Sequence, residues 1–124
     1  MSGWKSYYLP WAAWVAILVA FAFVALPEAP QPPALNVDKI RHASAYALLG
    51  VLTARAAAAQ RGGTFALVAA FFAVAAVGAG TEIIQMFVPG RSADVVDLGA
   101  DLAGGLLGAL AYLWAFRGGR PATE

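Results

Sequence analysis

Residues 64–116 read TFALVAAFFAVAAVGAGTEIIQMFVPGRSADVVDLGADLAGGLLGALAYLWAF. Two apolar runs, Thr64–Val88 and Val95–Phe116, flank a short polar turn holding Pro89, Gly90, Arg91, Ser92 and Asp94. Each run is close to the roughly 20 residues that cross the hydrocarbon core of a bilayer as a helix. Toward the N-terminus, Gln60-Arg61-Gly62-Gly63 closes a further apolar run, Ile40–Ala59. The segment PEAPQPP, Pro27 to Pro33, separates that run from a first one, Trp11–Leu26, which Tyr7, Tyr8 and Leu9 extend into the interface. Proline lacks the N–H a helix needs, and a Pro-rich stretch is extended, so the helix must end there. Gly and Pro at every boundary predict four spans and an all-α integral membrane bundle.

Composition points the same way. The chain of 124 residues is 61% hydrophobic and 12% charged. Soluble domains carry about 25% charged residues, so much of this surface is suited to lipid. A net charge of +1 excludes the dense basic patch that a nucleic-acid partner requires. With no cysteine, neither disulfides nor thiolate metal sites are available. The first run has a signal peptide as its competing reading. Its cluster of Trp4, Tyr7, Tyr8, Trp11 and Trp14 instead resembles the aromatic belt of a permanent helix. Lys5, Arg55, Arg61, Arg117 and Arg120 fall on one side of a four-span arrangement, and Lys39, Arg41 and Arg91 on the other. The positive-inside bias predicts both termini in the cytoplasm.

The remaining polar residues collect at the ends of three spans. The second opens with Asp38, Lys39, Arg41 and His42; the third closes with Thr81, Glu82 and Gln85; the fourth opens with Asp97 and Asp101, preceded by Asp94. At about 1.5 Å of rise per residue, Glu82 and Asp101 each lie roughly 9 Å inside their spans. Asp38 and His42 are spaced i, i+4; Glu82 and Gln85 i, i+3; Asp94, Asp97 and Asp101 i, i+3, i+7. Each set therefore shares one helical face. An ionisable group facing lipid costs about 2.5–3.5 kcal/mol on insertion scales, so these faces should turn inward and meet. Simpler readings stand beside this one. Asp38 and Asp94 are suited to helix N-caps, Asp97 to the first-turn dipole position, and Lys39 and Arg91 to interfacial anchoring. Gly104 and Gly108 have the small-xxx-small spacing of close helix packing, and Gly78 and Gly80 are suited to the same role. The Ala-rich segments read as helix filler.

At these polar residues the chain resembles the VanZ-like family of membrane proteins, named for an accessory protein of teicoplanin resistance. The resemblance runs from Asp38 to Gly108. It is carried by Asp38-Lys39-Ile40-Arg41-His42 with Tyr46 and Gly50, by Thr81-Glu82-Ile83-Ile84-Gln85 followed by Pro89-Gly90-Arg91, and by Asp94-Val95-Val96-Asp97 through Asp101 to Gly104. The family usually has Asn at the position of Asp101, so this chain brings an additional acid there. The expected organisation is a first transmembrane helix with an aromatic anchor over 1–26, a Pro-rich linker over 27–37, a VanZ-like three-helix region over 38–116 and a polar tail over 117–124.

The functional expectation is a cell-envelope membrane protein with an outward-facing polar pocket of Asp38, Lys39, His42, Glu82, Gln85, Arg91, Asp94, Asp97 and Asp101. Its expected partner is a membrane lipid or lipid-linked headgroup, with Lys39, Arg41 and Arg91 placed to meet phosphate. The resemblance implies a link to teicoplanin-type susceptibility. A membrane enzyme acting on such a lipid is the alternative, with His42, Glu82 or Asp97 as general base. A proton or ion pathway ranks lower, because the opposite halves of the spans carry no continuing polar path. No cofactor is called for and no metal is assigned, although Asp38, His42, Glu82 and Asp97 offer the oxygen and imidazole donors that bind divalent cations.

Overall fold

A computed structural model describes residues 3–24, 37–90 and 93–116. They form four helices, α1 Gly3–Ala22, α2 Val37–Arg61, α3 Gly63–Met86 and α4 Val95–Phe116, and no strand occurs among the described residues. The Pro-rich linker lies outside the described residues except Val37, which opens α2; the 117–124 tail lies outside them as well.

The protein is an all-α membrane bundle. Three of its helices, α1, α3 and α4, are long and apolar enough to cross a bilayer. The 25-residue α2 is more polar, but its length of about 37 Å is sufficient to span. It packs on all three other helices, and α1 packs on α2 and α3 but not on α4. Tyr46 and Thr53 of α2 are buried by these neighbours and Lys39 and His42 are partly buried.

Many large apolar side chains face outward, although Leu18, Tyr46, Leu49 and Val74 form one buried cluster. Ile17, Phe21, Val68, Phe72, Ile83, Leu107, Leu110 and Trp114 are exposed. One core cluster is built from Ala54, Ala57, Ala66, Ala70 and Ala109, with Leu67, Tyr112 and Leu113 against it. Lipid is as apolar as these side chains, so helices gain from close backbone approach rather than from hiding bulk. The Ala-rich segments are therefore the packing surface and not filler, which corrects the sequence reading.

The closest approach is between α2 and α4. A Cβ on Gly50 would land on the Gly105 carbonyl, one on Gly104 on the Ala43 carbonyl, and one on Gly108 on the Ala47 carbonyl. Gly78 abuts Leu98 and Asp101, whereas nothing lies within 4 Å of a Cβ built on Gly80. The expectation for Gly104, Gly108 and Gly78 thus holds, and Gly80 does not pack. Gly62 alone connects α2 to α3, at a φ of 86° that favours glycine.

The first helix starts at Gly3, well before the Trp11 boundary read from the apolar run. Pro10 lies inside it and removes the hydrogen bond that would go to the Ser6 carbonyl. Arg55 Nη1 of α2 donates to that carbonyl at 2.9 Å instead, and its guanidinium lies over the Tyr7 ring. Trp11 Nε1 donates to Thr53 Oγ1 and Trp14 Nε1 to the Ala45 carbonyl, both at 2.9 Å. These two indoles join α1 to α2, beyond the belt role expected of them. Interhelical hydrogen bonds of this kind average about 0.6 kcal/mol in membranes.

Gly104→Ala and Gly108→Ala are expected to destabilise the bundle by about 1–3 kcal/mol each, because the obstructing atoms are backbone and cannot repack. Gly80→Ala, which meets open space, is expected to raise stability by about 0.5–1 kcal/mol. Thermal melts of the three variants in detergent micelles check the contrast.

Candidate functional site

The start of α2, the end of α3 and the start of α4 meet at one end of the bundle. α3 ends at Met86, so Glu82 lies about 6 Å inside it, about half a turn nearer the end than the sequence reading placed it. Asp101 lies six residues into α4, about 9 Å inside. Glu82, Gln85, Asp97 and Asp101 are all buried.

Lys39 lies between two carboxylates. Its Nζ donates to Asp94 Oδ2 at 2.8 Å and also pairs with Asp97 Oδ1. His42, one turn further along α2, makes a 2.8 Å Nδ1–Oδ1 hydrogen bond with Asp101, and its Nε2 lies 3.8 Å from Asp97 Oδ2. The Tyr46 ring is parallel to the imidazole, with centroids 6.5 Å apart and planes inclined by 4°. The Tyr46 hydroxyl is 2.7 Å from Thr81 Oγ1, which donates at 3.0 Å to the Gly78 carbonyl. Polar contacts thereby link α2 to α4 through His42 and to α3 through Tyr46.

Asp94 has two roles. Its Oδ1 accepts the Val96 N–H at 2.8 Å, as an N-cap does, while Oδ2 takes Lys39. Asp94 thus caps α4 and also joins the polar cluster. Its own N–H donates to Glu82 Oε2 at 2.9 Å. In a capping box a residue of the same helix satisfies the cap's N–H; here a carboxylate from the preceding helix does so.

The structure thus brings together Lys39, His42, Glu82, Asp94, Asp97 and Asp101. Gln85 is buried one turn beyond Glu82, but among the described residues no hydrogen bond joins it to the cluster. The Asp38 side chain and Arg91 lie outside the described residues. Tyr46 and Thr81 belong to the site although the sequence reading left them out of the pocket. The i, i+4 spacing of His42 and Tyr46 and the adjacency of Thr81 to Glu82 were the available signals.

Chemically, the cluster contains four carboxylates against Lys39 and His42. Carboxylates only accept hydrogen bonds when ionised, so hydroxyl, amino or cationic groups suit them. His42, Glu82 and Asp101 each offer one ligand atom within 4.8 Å of the others. The His42–Asp101 contact also has the form in which a carboxylate orients an imidazole for proton transfer.

A protein-family model described as VanZ/LLP1 matches residues 7–116 of the chain, a stretch that takes in most of α1 and all of α2, α3 and α4. No curated protein and no solved structure matches it significantly.

Asp94 lies ahead of α4, outside the spans. The Lys39 ammonium bonded to it, helped by the Val96 N–H, holds its carboxyl below the ordinary carboxylate range. A carboxyl depressed in the folded state stabilises fully above its unfolded value, about 3.9, and loses that contribution as pH falls through the lower folded value. Thermal stability of the solubilised protein is therefore expected to drop on acidification below about pH 4. Asp94→Asn should lower stability at neutral pH and flatten part of that acid limb, as melting temperatures measured across the pH range would register.

Proposed function

The chain belongs to the VanZ/LLP1 family of membrane proteins, and from that premise we propose that it binds the headgroup of a lipid or lipid-linked precursor of the bacterial cell envelope. One observation carries the reading. The buried acids of α3 and α4 and the Lys39 and His42 of α2 converge at a single end of a molecule whose remaining outer surface is largely apolar. A ligand with its chain in lipid and its headgroup at the interface would meet the bundle at that level. Carboxylates accept hydrogen bonds from sugar hydroxyls and amines. Lys39 and the exposed Arg41 supply charge for a phosphate.

On this proposal the polar end faces outward and both termini are cytoplasmic, following the distribution of Lys and Arg. The family's namesake role extends the reading to lowered susceptibility to teicoplanin-type glycopeptides, through occupation of a lipid-linked wall precursor. A second reading, favoured by the 2.8 Å contact between His42 and Asp101, is an enzyme acting on such a precursor with His42 as general base and Asp101 orienting its ring.

The protein is expected to retain a phospholipid or lipid-linked sugar through purification, seen by native mass spectrometry. Glu82→Ala or Asp97→Ala should lower that retention at least about tenfold, the equivalent of 1.4 kcal/mol. Leu107→Ala, on the lipid-facing surface, should leave it unchanged. Equal retention in all three would sink the proposal. Turnover of a lipid-linked substrate, lost in His42→Ala, would transfer the case to the enzyme reading. Because the chain has no cysteine, single substitutions report sidedness cleanly. Ser6→Cys should react with an impermeant thiol reagent only after membranes are opened, and Ala93→Cys should react in intact cells.

A further inference from the structure

We infer that His42, Glu82 and Asp101 form a three-ligand site for a divalent transition-metal cation. The inference stands on the geometry of the cluster and does not require the lipid-headgroup reading. The three residues come from three different helices, and one ligand atom from each lies within 4.8 Å of the other two. Nitrogen and oxygen ligands bind such ions at about 2.0–2.2 Å, so the ligand atoms around one ion sit about 3 to 4.4 Å apart. A separation of up to 4.8 Å exceeds that of a trans pair by a few tenths of an ångström and that of a tetrahedral pair by up to about 1.4 Å.

An independent observation points to a ligand. Glu82 is 7% exposed, and its Oε1 is buried with no hydrogen-bond partner among the described residues. The other oxygen, Oε2, already holds the Asp94 N–H. A buried acceptor left unsatisfied costs about 1–3 kcal/mol, and more when charged. A carboxylate oxygen can be satisfied only by a donor or by a cation.

Charge supports the same assignment. Lys39 is shared by Asp94 and Asp97, so Glu82 and Asp101 add two further carboxylates beside one imidazole. A dication neutralises both where the surrounding medium screens poorly. The donor set of one imidazole and two carboxylates suits zinc, manganese or iron, whereas calcium and magnesium favour oxygen alone. Asp97 Oδ2 lies 3.8 Å from His42 Nε2, on the side where metal-bound histidines have an outer carboxylate partner. Three protein ligands leave coordination positions open, as in catalytic rather than structural zinc sites.

The test uses the full chain, purified in detergent, stripped with chelator and reloaded with Zn2+ or Mn2+. About one equivalent per chain is expected to survive desalting, with affinity lowered at least about tenfold in Glu82→Gln and His42→Ala. Those variants need not fold well, so a second measurement is made on the wild type alone. Electron spin-echo modulation of the Mn2+-loaded protein should show coupling to an imidazole nitrogen. The chain has a single histidine, so that signal belongs to His42. Retention of negligible metal by the wild type, or bound Mn2+ without nitrogen coupling, would overturn the assignment.

Discussion

Backbone contact between α2 and α4 is the interaction on which the rest of the structure depends. Gly104 lies against the backbone of Ala43, Gly108 against that of Ala47, and Gly50 against Gly105. Ala43 is the neighbour of His42, and Gly104 lies one turn beyond Asp101. The same approach that removes space for a Cβ therefore sets the His42 ring at 2.8 Å from the Asp101 carboxylate. It also brings Lys39 within reach of Asp94 and Asp97. A wider helix separation would leave short Asp side chains unable to meet α2, and the acids would then be stranded in a medium that solvates them poorly.

The polar cluster in turn closes the end of the bundle. Glu82 of α3 holds the N–H of Asp94, Asp94 caps α4, and Lys39 of α2 holds the Asp94 carboxylate. Each of these groups satisfies a partner on another element, so the candidate site and the fold share the same residues. An Asp97 or Glu82 substitution therefore also perturbs structure, and Glu82 Oε1, which has no hydrogen-bond partner among the described residues, marks where the cluster has capacity to spare. Breaking a buried ion pair by removing one member typically costs about 3–5 kcal/mol, largely through the charge left behind.

Much of this was legible in the sequence, for identifiable reasons. The bounds of α4, Val95–Phe116, coincide with the apolar run because Asp94 is a strong stop and start signal. The convergence of Lys39, His42, Glu82, Asp97 and Asp101 followed from helical spacing and from the cost of facing acids to lipid. The start of α1 at Gly3 lies well before the apolar run at Trp11, because Lys5 and Ser6 interrupt the hydropathy and Pro10 is accommodated within the helix, with Arg55 donating to the Ser6 carbonyl. Gly50 was not recognised as a packing residue, since its partner lies in α4 and leaves no local pattern. Tyr46 and Thr81 stand in the sequence motifs but not in the expected pocket, because the bond between their hydroxyls joins two helices and leaves no local pattern. Trp11 and Trp14 looked like interfacial anchors for the same reason, their acceptors being on α2.

The sorting of small residues inward and large ones outward also determines how this protein tolerates evolutionary change. Positions such as Phe72, Leu107 and Leu110 meet a fluid that accepts any apolar shape, so they are free to drift. The glycines and alanines along the helix seams meet fixed backbone and have no larger substitute. The plainest residues of the molecule are thus among those with the least room for substitution, while its lipid-facing coat has the most.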